Sequence, residues 1–361
     1  MPDSHDNLGS ALKLSLKLIL EQRETLSRDA ARRLLDTILA GMQQPNPSES
    51  ALFEEQTRIA ALLGALAARG ETVDELAGFV DALRGRVTPL PLTAAERAQV
   101  VDTCGTGGDL SGTFNISTAA ALVAAAAGAW VAKHGNRAVT SKCGSADVLE
   151  ALGIPVDLSP AQAASALRRH GFAFLAAPSL QPAMKAIMPI RRALGVRTAF
   201  NILGPMTNPA GAAAQVMGVY AERLVPIAAQ TLARLDTRHA FVVHGCGMDE
   251  FALSGPSAVG EVRSGRVTFS VVTPAAFGLD LGPIETLAGG DAAANAAILR
   301  GIFAGHAGPP RDVVVMNAAA VLVTAGLAAD FLAGTRLAQD TIDSGKVEQL
   351  VALLAEWPKG S

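Results

Sequence analysis

The sequence predicts a mainly parallel α/β domain covered by helices, together with a separate small all-helical domain at the N-terminal side. Three observations lead there. Residues up to about 97 show only helical periodicity. From about residue 98 onward, short apolar strands alternate with helices, the pattern of a parallel sheet with helices on its faces. Two polar, glycine-rich stretches, Asp102-Thr103-Cys104-Gly105-Thr106-Gly107-Gly108-Asp109 and Lys133-His134-Gly135-Asn136-Arg137, fall where strands end. Ligands of such sheets bind beyond the carboxyl ends of the strands, so the two stretches are expected to share one site. The expected domains are residues 1–97 and 98–361.

In the first domain Leu12, Leu16, Ile19 and Leu20 repeat at helical spacing. A second helix opens after Ser27 and carries Ala31, Leu34, Leu35 and Ile38 on one face. A third runs from about Ser48 to Ala68 and ends at Gly70, a C′ residue. Thr72 and Glu75 form a capping box for a fourth, which runs through Leu83. Pro89 and Pro91 stiffen the connection that follows. In the second domain Val100-Val101 is a strand, Thr118 to Ala127 a helix stopped by Gly128, and Ala129 to Ala132 a strand emptying into Lys133. Ser145 to Leu152 is helical and closed by Gly153, and Ser159-Pro160 starts another helix with proline at its first position. Phe172 to Leu175 and Phe241 to Val243 read as further buried strands.

Composition excludes several function classes. The 361 residues are 50% hydrophobic and carry a net charge of −3, which argues against a chain whose task is to wrap nucleic acid. No run approaches the roughly 18 apolar residues of a membrane span, and the polar, acidic start resembles no signal peptide. Cys104, Cys143 and Cys246 are few and form no CxxC pair, so neither a disulfide scaffold nor structural zinc is expected, and a reduced cytoplasm fits best.

The glycine-rich loops suggest the chemistry. Without a Cβ the backbone at Gly105 and Gly108 can approach a ligand closely, and exposed N–H groups beside a helix N-terminus suit phosphate oxygens. Asp109 would repel bare phosphate, so a cation or a sugar hydroxyl belongs between them; the combination points to a magnesium-bound phosphorylated sugar. Thr113 and the run Asn115-Ile116-Ser117-Thr118 add hydroxyl and amide groups at the helix start, more than capping needs. Lys133, after an apolar strand, is expected to point into the cleft and neutralise phosphate. Asp249-Glu250 lies just past a strand; such a pair is ordinarily a solvated edge, and its hard oxygens would also suit Mg²⁺.

Six ordered motifs carry a resemblance: GTGGD at 105–109, NIST at 115–118, KHGNR at 133–137, GSADVLEALG at 144–153, RRALGVRTAFNILGPMTNPA at 191–210 and HGCGMDE at 244–250. With Gly289-Gly290-Asp291 and Asn295 they cover nearly the whole chain, which resembles the anthranilate phosphoribosyltransferase family. The resemblance implies the nucleoside phosphorylase and phosphoribosyltransferase type of fold, its helical domain joined by helices from about 181–208. It implies transfer of phosphoribosyl from 5-phosphoribosyl 1-pyrophosphate to anthranilate in tryptophan biosynthesis, with Mg²⁺, in a homodimer, without nucleic acid or membrane partners.

It also implies roles for single residues. Gly105, Gly108, Asp109, Thr113, Asn115, Ile116, Ser117 and Thr118 would bind phosphoribosyl pyrophosphate. So would Lys133, His134, Gly135, Asn136, Arg137, Ala138, Val139, Thr140, Ser141 and Ser145. Ser117, Asp249 and Glu250 would hold the metal. Gly105, Asn136 and Arg191 would bind anthranilate; Arg192 and Arg197 compete with Arg191 on the residues alone, and the motif alignment favours Arg191. No side chain is expected to act as general acid or base. Leu180-Gln181-Pro182-Ala183-Met184 departs from the family, which has histidine where Gln181 stands, beside the anthranilate channel. A pyrimidine nucleoside phosphorylase-like enzyme and a non-catalytic nucleic-acid-binding relative are the alternatives on the same fold; the paired loops and Arg191 favour the transferase.

Overall fold

Capping residues open the helices of the first unit where the sequence predicts them. Ser27 accepts the Ala30 N–H and starts the helix Arg28–Gly41, and the Thr72/Glu75 capping box starts Val73–Arg84. Gly70, at φ +86°, follows the helix Glu49–Arg69. The computed structural model describes residues 4–43, 49–138 and 142–357. One unit comprises Met1–Thr88 with Gln181–Thr207, the other Pro89–Leu180 with Asn208–Ser361. Leu90 and Leu92 are buried with Val100, Ala132 and Leu167 of the α/β unit, so the division falls at 88/89 rather than 97/98.

The first helix corrects one expected stripe. Leu8, Leu12 and Ile19 are buried, whereas Leu20 is 52% exposed. The cause is a change of helix type: Ser4–Leu16 is α-helical but Lys17–Glu21 winds as a π-helix, whose wider turn rotates the later residues off the α register. Deeper in this unit Glu75 is fully buried, and its carboxylate accepts from the Leu26 N–H (2.9 Å), the Thr72 N–H (2.8 Å) and Arg69 (2.5 Å). A buried charge is tolerable here because every oxygen is matched by donors.

The second unit is built on a seven-stranded sheet. Its strands are β1 (Val100–Gly105), β2 (Trp130–Gly135), β3 (Phe172–Ala176), β4 (Ala214–Gly218), β5 (His239–Gly245), β6 (Ser257–Arg263) and β7 (Arg266–Val272). The spatial order is β3-β2-β1-β4-β5-β6-β7, parallel through β5, with β6 and β7 added antiparallel. Strand order reverses between β1 and β4, where Gly105 pairs with Gly218. Connections leave to opposite sides at such a point and open a crevice at the carboxyl ends of the strands.

The helix Ile116–Ala126, which leaves the β1 loop, is almost wholly buried and rich in alanine. Its small side chains let it pack between the sheet and the equally buried helix Pro309–Ala325. Each fully buried Val or Leu in this core contributes about 1.5–3 kcal/mol by leaving water. The start of that helix, which faces the crevice, therefore rests on a rigid base. No disulfide joins the three cysteines, and no helix among the described residues is long and apolar enough to cross a membrane.

Candidate active site

The loops after β1 and β5 meet in the α/β unit, and they meet on carboxylates. Gly107 donates its N–H to Asp249 Oδ2 at 2.7 Å, and the Asp249 N–H reaches Asp109 Oδ2 at 3.3 Å. Ser117, in the first turn of the helix Ile116–Ala126, donates its N–H to Glu250 Oε1 at 3.0 Å. Asp109 also accepts the Ser111 hydroxyl at 2.7 Å, and Ser111 Oγ lies 3.2 Å from Thr113 Oγ1. From behind, the buried Asn317 binds both the N–H and the carbonyl of Phe251, which fixes the acidic pair just before it.

Two glycines make room for this. A Cβ on Gly105 would overlap the Asp249 carboxylate, and one on Gly218 would overlap the Asp249 backbone carbonyl. The glycine at 105 is thus needed for the acid as much as for any ligand. Gly107 and Gly108 take φ of +65° and +75°, which turns the loop at little strain.

Crowding leaves the acids short of positive charge. Burial, then the neighbouring Asp109 charge, pushes Asp249 up to about 7. Burial, then Asp249, pushes Glu250 up to about 8, although Lys133 pulls it down. Among the described residues no three His, Cys, Asp or Glu side chains close tightly enough to hold an ion by themselves. The donor set of two carboxylates and the Ser117 hydroxyl fits Mg²⁺, which keeps waters and shares its coordination with substrate phosphates.

Lys133 lies deeper than expected. It is 1% exposed and donates to the Thr103 carbonyl at 2.7 Å and to Ser117 Oγ at 3.1 Å. Burial pushes its ammonium down, while the Cys104, Asp102, Glu250 and Asp249 side chains pull it back up. It serves the crevice through Ser117 rather than by pointing into it. His134 is likewise buried, its N–H on Asp102 Oδ1 at 3.2 Å, and the side chains of Ile116 and Thr118 belong to the core. These positions can offer a ligand their backbone only.

The loop after β2 is held from within. Asn136 donates its N–H to Ser145 Oγ and accepts the Arg137 N–H on its own Oδ1 at 2.8 Å. A Cβ on Gly135 would overlap Ser145 Oγ. The half-exposed Arg137 pairs with Glu150 through contacts of 2.5 and 2.6 Å, a surface ion pair of little strength. Ala138 donates its N–H to Asp147, whereas Val139, Thr140 and Ser141 lie outside the described residues.

In the helical unit, Arg191 sits near the end of the helix Pro182–Leu194. It is half-buried, touches Met188 Sδ at 3.5 Å and stacks over the Phe200 ring at 5.6 Å. Burial pushes the guanidinium down, and no acidic partner meets it among the described residues. Arg192 and Arg197 are exposed. Gln181 is 5% exposed and turns inward, its amide donating to the Thr207 carbonyl (2.6 Å) and hydroxyl (2.7 Å). Leu180 is also buried, in the core of the α/β unit.

Ser111, Gly218 and Asn317 are site-building residues that carry no recognisable motif on their own. Residues 97–348 match the model of the glycosyl transferase family, a/b domain, and residues 15–87 match that of its helical bundle domain. An anthranilate phosphoribosyltransferase of Desulforamulus reducens is 50% identical over 303 residues, 84% of this chain and 87% of that protein. The crystal structure of anthranilate phosphoribosyltransferase from Thermus thermophilus superposes with a TM-score of 0.85 at 38% identity, covering 96% of this chain and 98% of that one. The Saccharomyces cerevisiae enzyme, solved with phosphoribosyl pyrophosphate and Mg, gives 0.86 at 26% identity, covering 96% and 97%.

Proposed function

The chain belongs to the anthranilate phosphoribosyltransferase family, and from this we propose a division of labour among its residues. The reaction transfers the phosphoribosyl group of 5-phosphoribosyl 1-pyrophosphate to the amino group of anthranilate. It releases pyrophosphate and N-(5-phosphoribosyl)anthranilate, a step of tryptophan biosynthesis. The phosphoribosyl donor is assigned to the α/β crevice and the anthranilate carboxylate to Arg191. The observation that carries this is the charge-short acid pair Asp249–Glu250, held by the N–H groups of Gly107 and Ser117 where β1 and β5 end.

Asp249, Glu250 and Ser117 would hold Mg²⁺, which when bound screens the charge of the pyrophosphate. Asp109, oriented by the Ser111 hydroxyl, accepts a hydrogen bond from the donor's ribose hydroxyl or from a bound water. Asn115, the backbone of the 105–109 and 133–138 loops, and Ser145 surround the phosphates. Gly105 and Asn136 also border the acceptor. Loss of pyrophosphate from the anomeric carbon builds oxocarbenium character there. Anthranilate's aromatic amine is largely neutral at pH 7 and attacks without a strong base, so the rate comes chiefly from holding it in line. As a biosynthetic enzyme it is placed in the cytoplasm. A homodimer joined through the helical unit is what the family resemblance implies.

The test is pyrophosphate release from phosphoribosyl pyrophosphate with Mg²⁺, with and without anthranilate, in the parent and in Arg191→Ala. Release should require anthranilate. A guanidinium stacked on Phe200 without a carboxylate of its own is free to bind one bidentately. Losing that charge-assisted contact costs about 1.5–3 kcal/mol, so the variant's KM for anthranilate should rise on the order of 10- to 100-fold. The KM for phosphoribosyl pyrophosphate should stay within about 2-fold, because no contact to the donor is removed. Equal shifts in both constants would dismiss the division.

A further inference from the structure

We propose that Asn295 is a positioning residue that sets the polarity of Asn115, so that Asn115 presents an N–H rather than its carbonyl oxygen to the phosphoribosyl donor. The inference rests on the assignment of Asn115 to the donor site. A chain of three contacts carries it. The Gly290 N–H, which can only donate, reaches Asn295 Oδ1 at 2.7 Å. That fixes which end of the Asn295 amide is oxygen, and its Nδ2 donates in turn to Asn115 Oδ1 at 2.9 Å. Asn115 Nδ2 then donates to the Cys143 carbonyl, which can only accept, at 3.3 Å. An amide's oxygen and nitrogen are ordinarily interchangeable in outline. Here a donor at one end of the relay and an acceptor at the other leave one arrangement.

The surroundings hold the relay rigid. Asn295 is 1% exposed. The Gly289 N–H bonds the Gly112 carbonyl at 2.8 Å and the Phe114 N–H bonds the Leu287 carbonyl at 3.0 Å, which stitches the Gly289-Gly290 segment to the loop before Asn115. A Cβ on Gly289 would come within 2.7 Å of the Phe114 nitrogen, so only glycine lets the segments lie this close.

An independent observation shows that Asn115 is being used for something other than capping. It occupies the N-cap of the helix Ile116–Ala126, where an asparagine side chain ordinarily accepts an N–H of the first turn. It makes no such bond, and the Ser117 N–H goes to Glu250 instead. The cap is forgone because Asn115 Oδ1 is turned away to Asn295. What remains at the half-exposed end is the second N–H of Nδ2, a donor suited to a phosphate oxygen.

Asn295→Asp tests this on the full-length enzyme. Aspartate has nearly the same shape and still accepts the Gly290 N–H, but it has no donor for Asn115. The Asn115 oxygen would then face a carboxylate, and turning its nitrogen inward instead, at the cost of the long 3.3 Å bond to the Cys143 carbonyl, shows its oxygen to the phosphates. The KM for phosphoribosyl pyrophosphate should rise by about 10-fold or more, with the KM for anthranilate within about 2-fold. Asn295→Ala, which only frees Asn115 to rotate, should give a smaller rise with the same selectivity. In an Asn115→Ala background both Asn295 changes should add less than about 2-fold, because the group they act through is gone. A new carboxylate acting only by its charge would raise the KM equally in both backgrounds, and that result overturns the proposal. So does a normal KM in Asn295→Asp when Asn115→Ala is impaired. A normal KM in Asn115→Ala itself removes Asn115 from the donor site, and the relay falls with it. Should the aspartate variant not fold, Asn295→Ala in the two backgrounds decides the matter alone.

Discussion

Replacing Asp249 and Glu250 together by asparagine and glutamine should cut kcat/KM for phosphoribosyl pyrophosphate by about a hundred-fold or more, the scale of losing a preorganised charge stabiliser. The amides keep an oxygen for the Gly107 and Ser117 N–H groups, so the loop geometry is retained and only charge is removed. Alanine at both positions also releases the Gly107 loop and should cost still more. Without metal the same amide variant should be the more heat-stable protein. In the fold the two acids keep their protons up to about 7 and 8, well above their ordinary 3.8 and 4.5. The folded state then binds more protons than the unfolded one, so this pair lowers stability as pH rises from about 4 towards 8. The melting temperature of the amide variant in chelator should therefore exceed the parent's at pH 8, with the gap closing near pH 4. A parent that is the more stable at pH 8 without metal would mean that the pair is a solvated edge.

Lys133→Met should be the most damaging single substitution. Its ammonium is buried and faces Asp102, Asp249 and Glu250, and breaking a buried charge arrangement by removing one member costs on the order of 3–5 kcal/mol. The lysine also holds the Ser117 hydroxyl at 3.1 Å, so use of phosphoribosyl pyrophosphate should fall along with stability, while the anthranilate KM changes little. Thermal unfolding and the two Michaelis constants read both effects. Unchanged stability with only the donor KM raised would show that Lys133 reaches the substrate directly and is not tied inside the sheet.

Much of this was legible in the sequence because local chemistry decides it. Caps at Ser27 and Thr72 mark real helix starts, and the apolar runs before Gly105, Lys133 and His244 are real strands. Strands β4, β6 and β7 were harder to see. β4 carries the polar Gln215, and β7 is mostly exposed at the edge of the sheet, so neither shows a continuous apolar run. The turn at Ser264 and Gly265, both at positive φ, is the signal that could have revealed the β6–β7 hairpin. The motifs located the site, but not which partner each group would take. That Gly107 serves Asp249, that Arg137 serves Glu150 and that Gln181 serves Thr207 depends on residues 142, 13 and 26 positions away. Such pairings are settled by tertiary packing, and burial then decides whether a polar side chain meets a ligand or its own protein. Lys133 and Gln181 show the rule: both are polar, both follow recognisable patterns, and both turn inward.

Binding of the donor through Mg²⁺ by the acid pair of the α/β crevice is open to direct test. Calorimetric titration of phosphoribosyl pyrophosphate, with and without Mg²⁺, into the parent and into the variant carrying both Asp249→Asn and Glu250→Gln tests it most directly. The account predicts that Mg²⁺ tightens binding to the parent by about 10-fold or more and tightens binding to the variant far less. Equal Mg²⁺ enhancement in the two proteins would contradict it.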